Sequence, residues 1–212
     1  MLFLEVYGMR RSGHHAFIGW MKRNFDAKYG IQNVIYINDL MNNYSVKGNL
    51  LEVKLTEILE KKPEVVIVSY EDEFIDVSRT ENYNPVKISF LRDIHNLSAS
   101  RYKANTGAAM RIDDKFVDRW ISQATHPRIF KYEDFLLSKE KRDAFMQSFS
   151  VENIDKTEEV NYCSNIGSSF IGRKLDTKEN YLNRHKMVEI PQNLLDIINA
   201  EKVQLVRKQV GY

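Results

Sequence analysis

The sequence predicts an α/β protein built on a central, mainly parallel five-stranded sheet with a helical C-terminal cover. Three observations predict it. Short apolar runs alternate with stretches of helical spacing through roughly the first 138 residues, the pattern of a parallel sheet wrapped by helices. The run Val65 to Ser69 is apolar throughout, as a strand covered on both faces is. Beyond it, after about residue 138, strand-like runs stop and helical spacing remains.

Each element has its own signal. Leu2 to Tyr7 is an apolar run closed by Gly8 and reads as the first strand. From His14 to Phe25, the residues Phe17, Ile18, Met21 and Phe25 share one helical face. Asn33 to Ile37 is the second strand. Asn49 to Lys61 is an amphipathic helix that turns Leu51, Leu55, Ile58 and Leu59 inward, with Pro63 just past its end. Val65 to Ser69 and Val86 to Leu91 are strands three and four. Helices are expected over Asn96 to Lys103 and Lys115 to Ala124, then a fifth strand over Arg128 to Tyr132. Ser138 to Phe149 and Leu194 to Gln209 read as covering helices, separated by a polar loop region at about 150 to 178. Residues 1–212 are expected to form one domain.

Composition narrows the function classes. Hydrophobic residues make up 43% and charged residues 28%, with 31 basic against 29 acidic side chains. That balance argues against a nucleic-acid coat protein and leaves room for a local basic pocket. Cys163 is alone, which rules out a disulfide within the chain and disfavours a cysteine metal site. No apolar run approaches the ~18 residues that span a bilayer. The first strand follows no basic stretch, so it does not read as a signal peptide. A cytoplasmic protein with neither a membrane nor a nucleic-acid partner is expected.

Ligands of such folds bind beyond the carboxyl ends of the strands. The first strand runs into Gly8-Met9-Arg10-Arg11-Ser12-Gly13-His14-His15, whose glycines have the spacing of a phosphate-binding loop. A turn of backbone N–H groups opening into a helix presents donors and partial positive charge to an anion. The ATP-type loop has Lys and then Ser or Thr after its second glycine. Here His14 and His15 stand there, and the cation is Arg11.

Arg11-Ser12-Gly13 after a first strand resembles the 5′-phosphosulfate loop of the sulfotransferase superfamily, which reads Lys/Arg-Ser-Gly-Thr-Thr. The resemblance implies a three-layer P-loop fold and 3′-phosphoadenosine 5′-phosphosulfate (PAPS) as co-substrate, without a metal. It places Arg10, Arg11, Ser12, Gly13, His14 and His15 around the phosphosulfate, with an imidazole N–H of His14 replacing a hydroxyl. Adjacent histidines point to different helix faces, so only one of the two is expected to serve. The fourth strand ends in Phe90-Leu91-Arg92, and Ser100 lies eight residues after Arg92. The family has an arginine and a serine at this offset, and the resemblance implies that the pair holds the 3′-phosphate. Phe130 to Phe135 resembles the family's stretch after strand five. Gly167 to Gly172 and Tyr181 to Lys186 resemble its C-terminal region, which implies that Ser168, Ser169, Phe170 and Arg173 close over the nucleotide.

Sulfuryl transfer needs a base for the acceptor hydroxyl and cations for the leaving phosphate. The family's base follows the third strand, where Glu71 is the first candidate and Glu73 the second. Packed carboxylates are expected to raise at least one pKa, which suits a base near neutrality. Arg11 is the cation for the leaving phosphate, and His14 or His15 is the next candidate base. The acceptor is expected to be a small molecule or carbohydrate. A P-loop kinase and a non-catalytic nucleotide-binding module remain as alternatives. His14, His15, His95, His126 and His185 show no metal-ligand spacing.

Overall fold

The computed structural model describes residues 1–37, 49–75, 80–104, 111–155 and 182–212, with 49–54 described by their backbone alone. Five parallel strands form one sheet: β1 (Leu2–Gly8), β2 (Val34–Ile37), β3 (Val65–Glu71), β4 (Val86–Leu91) and β5 (Ile129–Lys131). Their order is β2-β3-β1-β4-β5. β1 is therefore central, and Gly8 at its end pairs with Glu71 of β3 on one side and Phe90 of β4 on the other.

Helices flank this sheet. α1 (His14–Tyr29) packs Phe17, Ile18, Met21 and Phe25 against Leu4 and Val6 of β1. α2 (Asn49–Glu60) buries Leu55 and Ile58 with Phe3 and Tyr7, the alternate residues of the same strand. Strand alternation puts these two sets on opposite faces, so both faces of β1 are covered. α3 (Ile94–Ala104) and α4 (Asp114–Ala124) lead from β4 to β5. α5 (Tyr132–Leu137) and α6 (Lys139–Gln147) add Phe135 and Met146 to the α1 core. α7 (Gln192–Ile198) and α8 (Glu201–Gln209) place Ile198 and Val203 against Phe116 and Trp120 of α4. No helix among the described residues is long and apolar enough to cross a membrane.

Several boundaries differ from the sequence expectation. β3 continues past Ser69 to Glu71, because Tyr70 stacks on Tyr7 of β1 at 4.8 Å between ring centres. Both tyrosines donate to the buried carboxylate of Glu5, at 2.9 and 3.0 Å. α3 starts two residues early, because Asp93 accepts from the backbone N–H groups of His95 and Asn96. The expected fifth strand stops at Lys131, and Tyr132 opens α5. The expected helix from Leu194 is two helices, broken at Asn199, whose side-chain oxygen lies 2.8 Å from Nε2 of His95. The expected inward position of Leu51 lies outside the described side chains.

Candidate functional site

β1 and β4 are neighbours, yet the chain leaves β1 toward β2 at one edge and leaves β4 toward β5 at the other. Connections that diverge in this way open a crevice beyond the strand ends. Two arginines occupy it. Arg92, immediately after β4, is 1% exposed and donates from Nη1 to the carbonyl of Arg11 at 2.9 Å. Its guanidinium lies over the Tyr132 ring at 4.4 Å. Burial, and then the neighbouring charge of Arg92, lower the pKa of Arg11. Asp93, the nearest acid in sequence to Arg92, is taken by Arg207, which reaches it from Nε at 3.0 Å and Nη2 at 2.7 Å. Glu133 also lies within electrostatic reach of Arg92. Its carboxyl is pushed up by burial and accepts from the Tyr212 hydroxyl at 2.7 Å.

The glycine loop holds Arg11 in a constrained backbone. Arg11 has φ 74° and Gly13 has φ 90°, while Ser12 N–H closes a turn onto the Met9 carbonyl at 3.0 Å. A left-handed arginine is uncommon and costs of order 1–3 kcal/mol. No side chain caps the N-terminus of α1, and no acidic residue stands in its first turn. The loop, the uncapped helix and two cations thus share one side of the sheet. Ser12 is fully buried, and its Oγ makes no hydrogen bond among the described residues.

His14 is placed otherwise than expected. Its ring is 2% exposed, lies against Gly8, and directs Nε2 to the Val6 carbonyl at 3.1 Å. A carbonyl only accepts, so Nε2 carries the proton. That proton is committed to Val6 and is not offered to a phosphate. Both histidines instead meet at one carboxylate. Nδ1 of His14 and Nε2 of His15 both face Oε1 of Glu71, at 3.7 and 3.0 Å. The register that sets Glu71 beside Gly8 brings the carboxylate between the two rings.

This placement corrects the expected chemistry of Glu71. Burial alone pushes its pKa up, but His14 and His15 outweigh burial and hold the carboxyl well below its usual range. Its neighbours are cationic or imidazole groups, since Nε of Arg10 stands 3.7 Å from Oε2. A carboxylate held in this way is a weak proton acceptor near neutrality. Arg10 itself is turned to the acids after β3, with its backbone N–H 3.0 Å from Oδ1 of Asp72.

Glu71 and Glu73 line a cleft of about 340 Å³, together with Asp72, Arg101, Arg111 and Arg119. Asp72, at φ 58°, donates its N–H to the Gly8 carbonyl and pairs with Arg101. Sequence reasoning assigned no role to Asp72 and Arg101, charged residues at a strand end and on a largely buried helix. It also passed over Arg184, which is 2% exposed and donates to Oγ of Ser100 at 3.3 Å. Ser100 is itself buried. Ser168, Ser169, Phe170 and Arg173 lie outside the described residues. Comparison with protein-family models, with curated proteins and with solved structures finds no match to this chain.

Proposed function

We propose that residues 1–212 form a single P-loop domain that transfers a sulfuryl group from PAPS to a hydroxyl or amine acceptor, a small molecule or carbohydrate. The observation that carries the reading is the meeting of Arg11 and Arg92 in the crevice between β1 and β4. Two arginines held close enough to repel are stabilised by an anion between or beside them. The uncapped start of α1 adds backbone donors on the same side. Arg11 and the loop N–H groups take the 5′-phosphosulfate. Arg92 takes the 3′-phosphate, and the buried Ser100 contributes together with Arg184.

In the transfer, the acceptor oxygen or nitrogen forms a bond to sulfur as the bond from sulfur to the bridging phosphate oxygen breaks. The electron pair of that bond stays on the phosphate, whose growing charge is met by Arg11. The acceptor proton goes to a carboxylate of the cleft. Glu73 takes this role in preference to Glu71, whose proton affinity the two histidines depress. The products are adenosine 3′,5′-bisphosphate and the sulfated acceptor.

A thermal-shift panel, with the bisphosphate run in chelator and ATP run with excess Mg²⁺, tests the donor. Adenosine 3′,5′-bisphosphate should stabilise the chain, by about 2.7 kcal/mol at a hundred times its dissociation constant. Stabilisation by ATP with Mg²⁺ and none by the bisphosphate would replace this reading with a kinase. Bisphosphate binding without turnover on any acceptor would leave a nucleotide-binding module.

A further inference from the structure

We infer that His14, His15 and Glu71 form a binding site for one divalent transition-metal ion of the zinc class. The inference stands apart from the PAPS reading, because it uses different atoms and needs no nucleotide.

The first argument is hydrogen-bond direction. His14 is buried and gives its Nε2 proton to Val6, and its Nδ1 faces Oε1 of Glu71 at 3.7 Å. That distance is too long for a hydrogen bond, and Nδ1 makes none among the described residues. A lone pair aimed at a carboxylate oxygen needs positive charge between the two. A proton supplies one charge, and a metal ion supplies two together with bonds to both atoms.

His15 repeats the arrangement. Its Nδ1 lies 3.3 Å from the Tyr36 hydroxyl, which donates to Oγ of Ser69, which in turn donates to the Ile37 carbonyl. Its Nε2 faces Oε1 of Glu71 at 3.0 Å, a separation that a proton or a metal ion bridges. Each ring thus has its outer nitrogen anchored and its inner one facing the same oxygen. Anchoring the far ring nitrogen in this way is the outer-sphere pattern of metal-bound histidine.

The spacing fits. Two ligand atoms each about 2.05 Å from a tetrahedral ion stand ~3.3 Å apart. The separations here, 3.0 and 3.7 Å, bracket that value, and all three ligand atoms lie within 4.8 Å of one another. Oε2 of Glu71 is turned to Arg10, which leaves Oε1 for the ion. His14 and Glu71 are enclosed while the His15 side chain is 43% exposed, so the ion has a route in and an open position toward solvent. Two imidazoles and one carboxylate select zinc-class ions over Mg²⁺ and Ca²⁺, which prefer all-oxygen shells.

The test is calorimetric titration of the chelator-stripped full chain with Zn²⁺, with Mg²⁺ in parallel and Co²⁺ followed by visible absorption. The expected result is one Zn²⁺ per chain, a tetrahedral Co²⁺ spectrum and no comparable Mg²⁺ binding. His15→Ala and Glu71→Gln should each weaken Zn²⁺ by at least ~100-fold, beyond the usual effect of an outer-sphere residue. A double substitution at His95 and His185, whose rings stand 6.3 Å apart, should leave binding unchanged. Zn²⁺ binding that is absent, is matched by Mg²⁺, survives both ligand substitutions or is lost with His95 and His185 would overturn the site. The bisphosphate is titrated separately in chelator. A chain that binds it but not Zn²⁺ loses the metal site alone, and the converse loses the PAPS reading alone.

Discussion

The His14 ring lies so close over Gly8 that a Cβ built on the glycine would stand 2.7 Å from the ring carbons. Gly8 is thus a steric requirement of the loop, set by the imidazole that bonds back to Val6. Gly8→Ala should push the ring off Val6 and destabilise the fold by about 1–3 kcal/mol, the usual cost of overpacking. Denaturant unfolding checks this. Adding His14→Ala should recover much of the loss; strictly additive losses would show that the ring is not the obstacle.

Arg92→Ala should weaken nucleotides that carry a 3′-phosphate and spare those that lack one. The expected loss is at least ~1.5 kcal/mol, the low end for a charged hydrogen bond. Calorimetry with adenosine 3′,5′-bisphosphate and adenosine 5′-phosphate measures the difference. Equal weakening of both would assign Arg92 to holding the Arg11 loop alone, through its 2.9 Å bond to that carbonyl.

Glu73→Gln should lower sulfuryl transfer by ~10²-fold or more, the scale of a positioned general base, with nucleotide affinity unchanged. Glu71→Gln should have the smaller effect on turnover. The reverse order, in a PAPS-dependent assay with an acceptor, would return the base to Glu71.

Glu71 also leaves a signature in stability against pH. Its carboxyl is held below the ordinary range in the fold by His14 and His15, against the upward push of burial. The stability so gained is complete above the unfolded carboxyl pKa, about 4.3, and is lost as pH falls below it. The gap in unfolding free energy between the wild type and Glu71→Gln should therefore be wide at neutral pH and narrow progressively under acid. Urea titrations across that range measure it, and a gap independent of pH would show that Glu71 has no such partners.

Much of the architecture is written locally in the chain. Apolar runs and helical faces such as Phe17, Ile18, Met21 and Phe25 mark the elements, because periodicity depends on near neighbours alone. The glycine spacing located the loop, and Arg11 and Arg92 stood out as cations just after strands. The partners of the charges were not legible in this way. Arg101 meets Asp72 across 29 positions, Arg184 meets Ser100 across 84, and Arg207 meets Asp93 across 114. Those pairings depend on the strand order, which sets β1 between β3 and β4 and Gly8 beside Glu71. The sequence alone determined which groups stand at the strand ends. Only the tertiary structure decided that Glu71 lies between two imidazoles, because a proton's affinity for a carboxylate follows its neighbours in space.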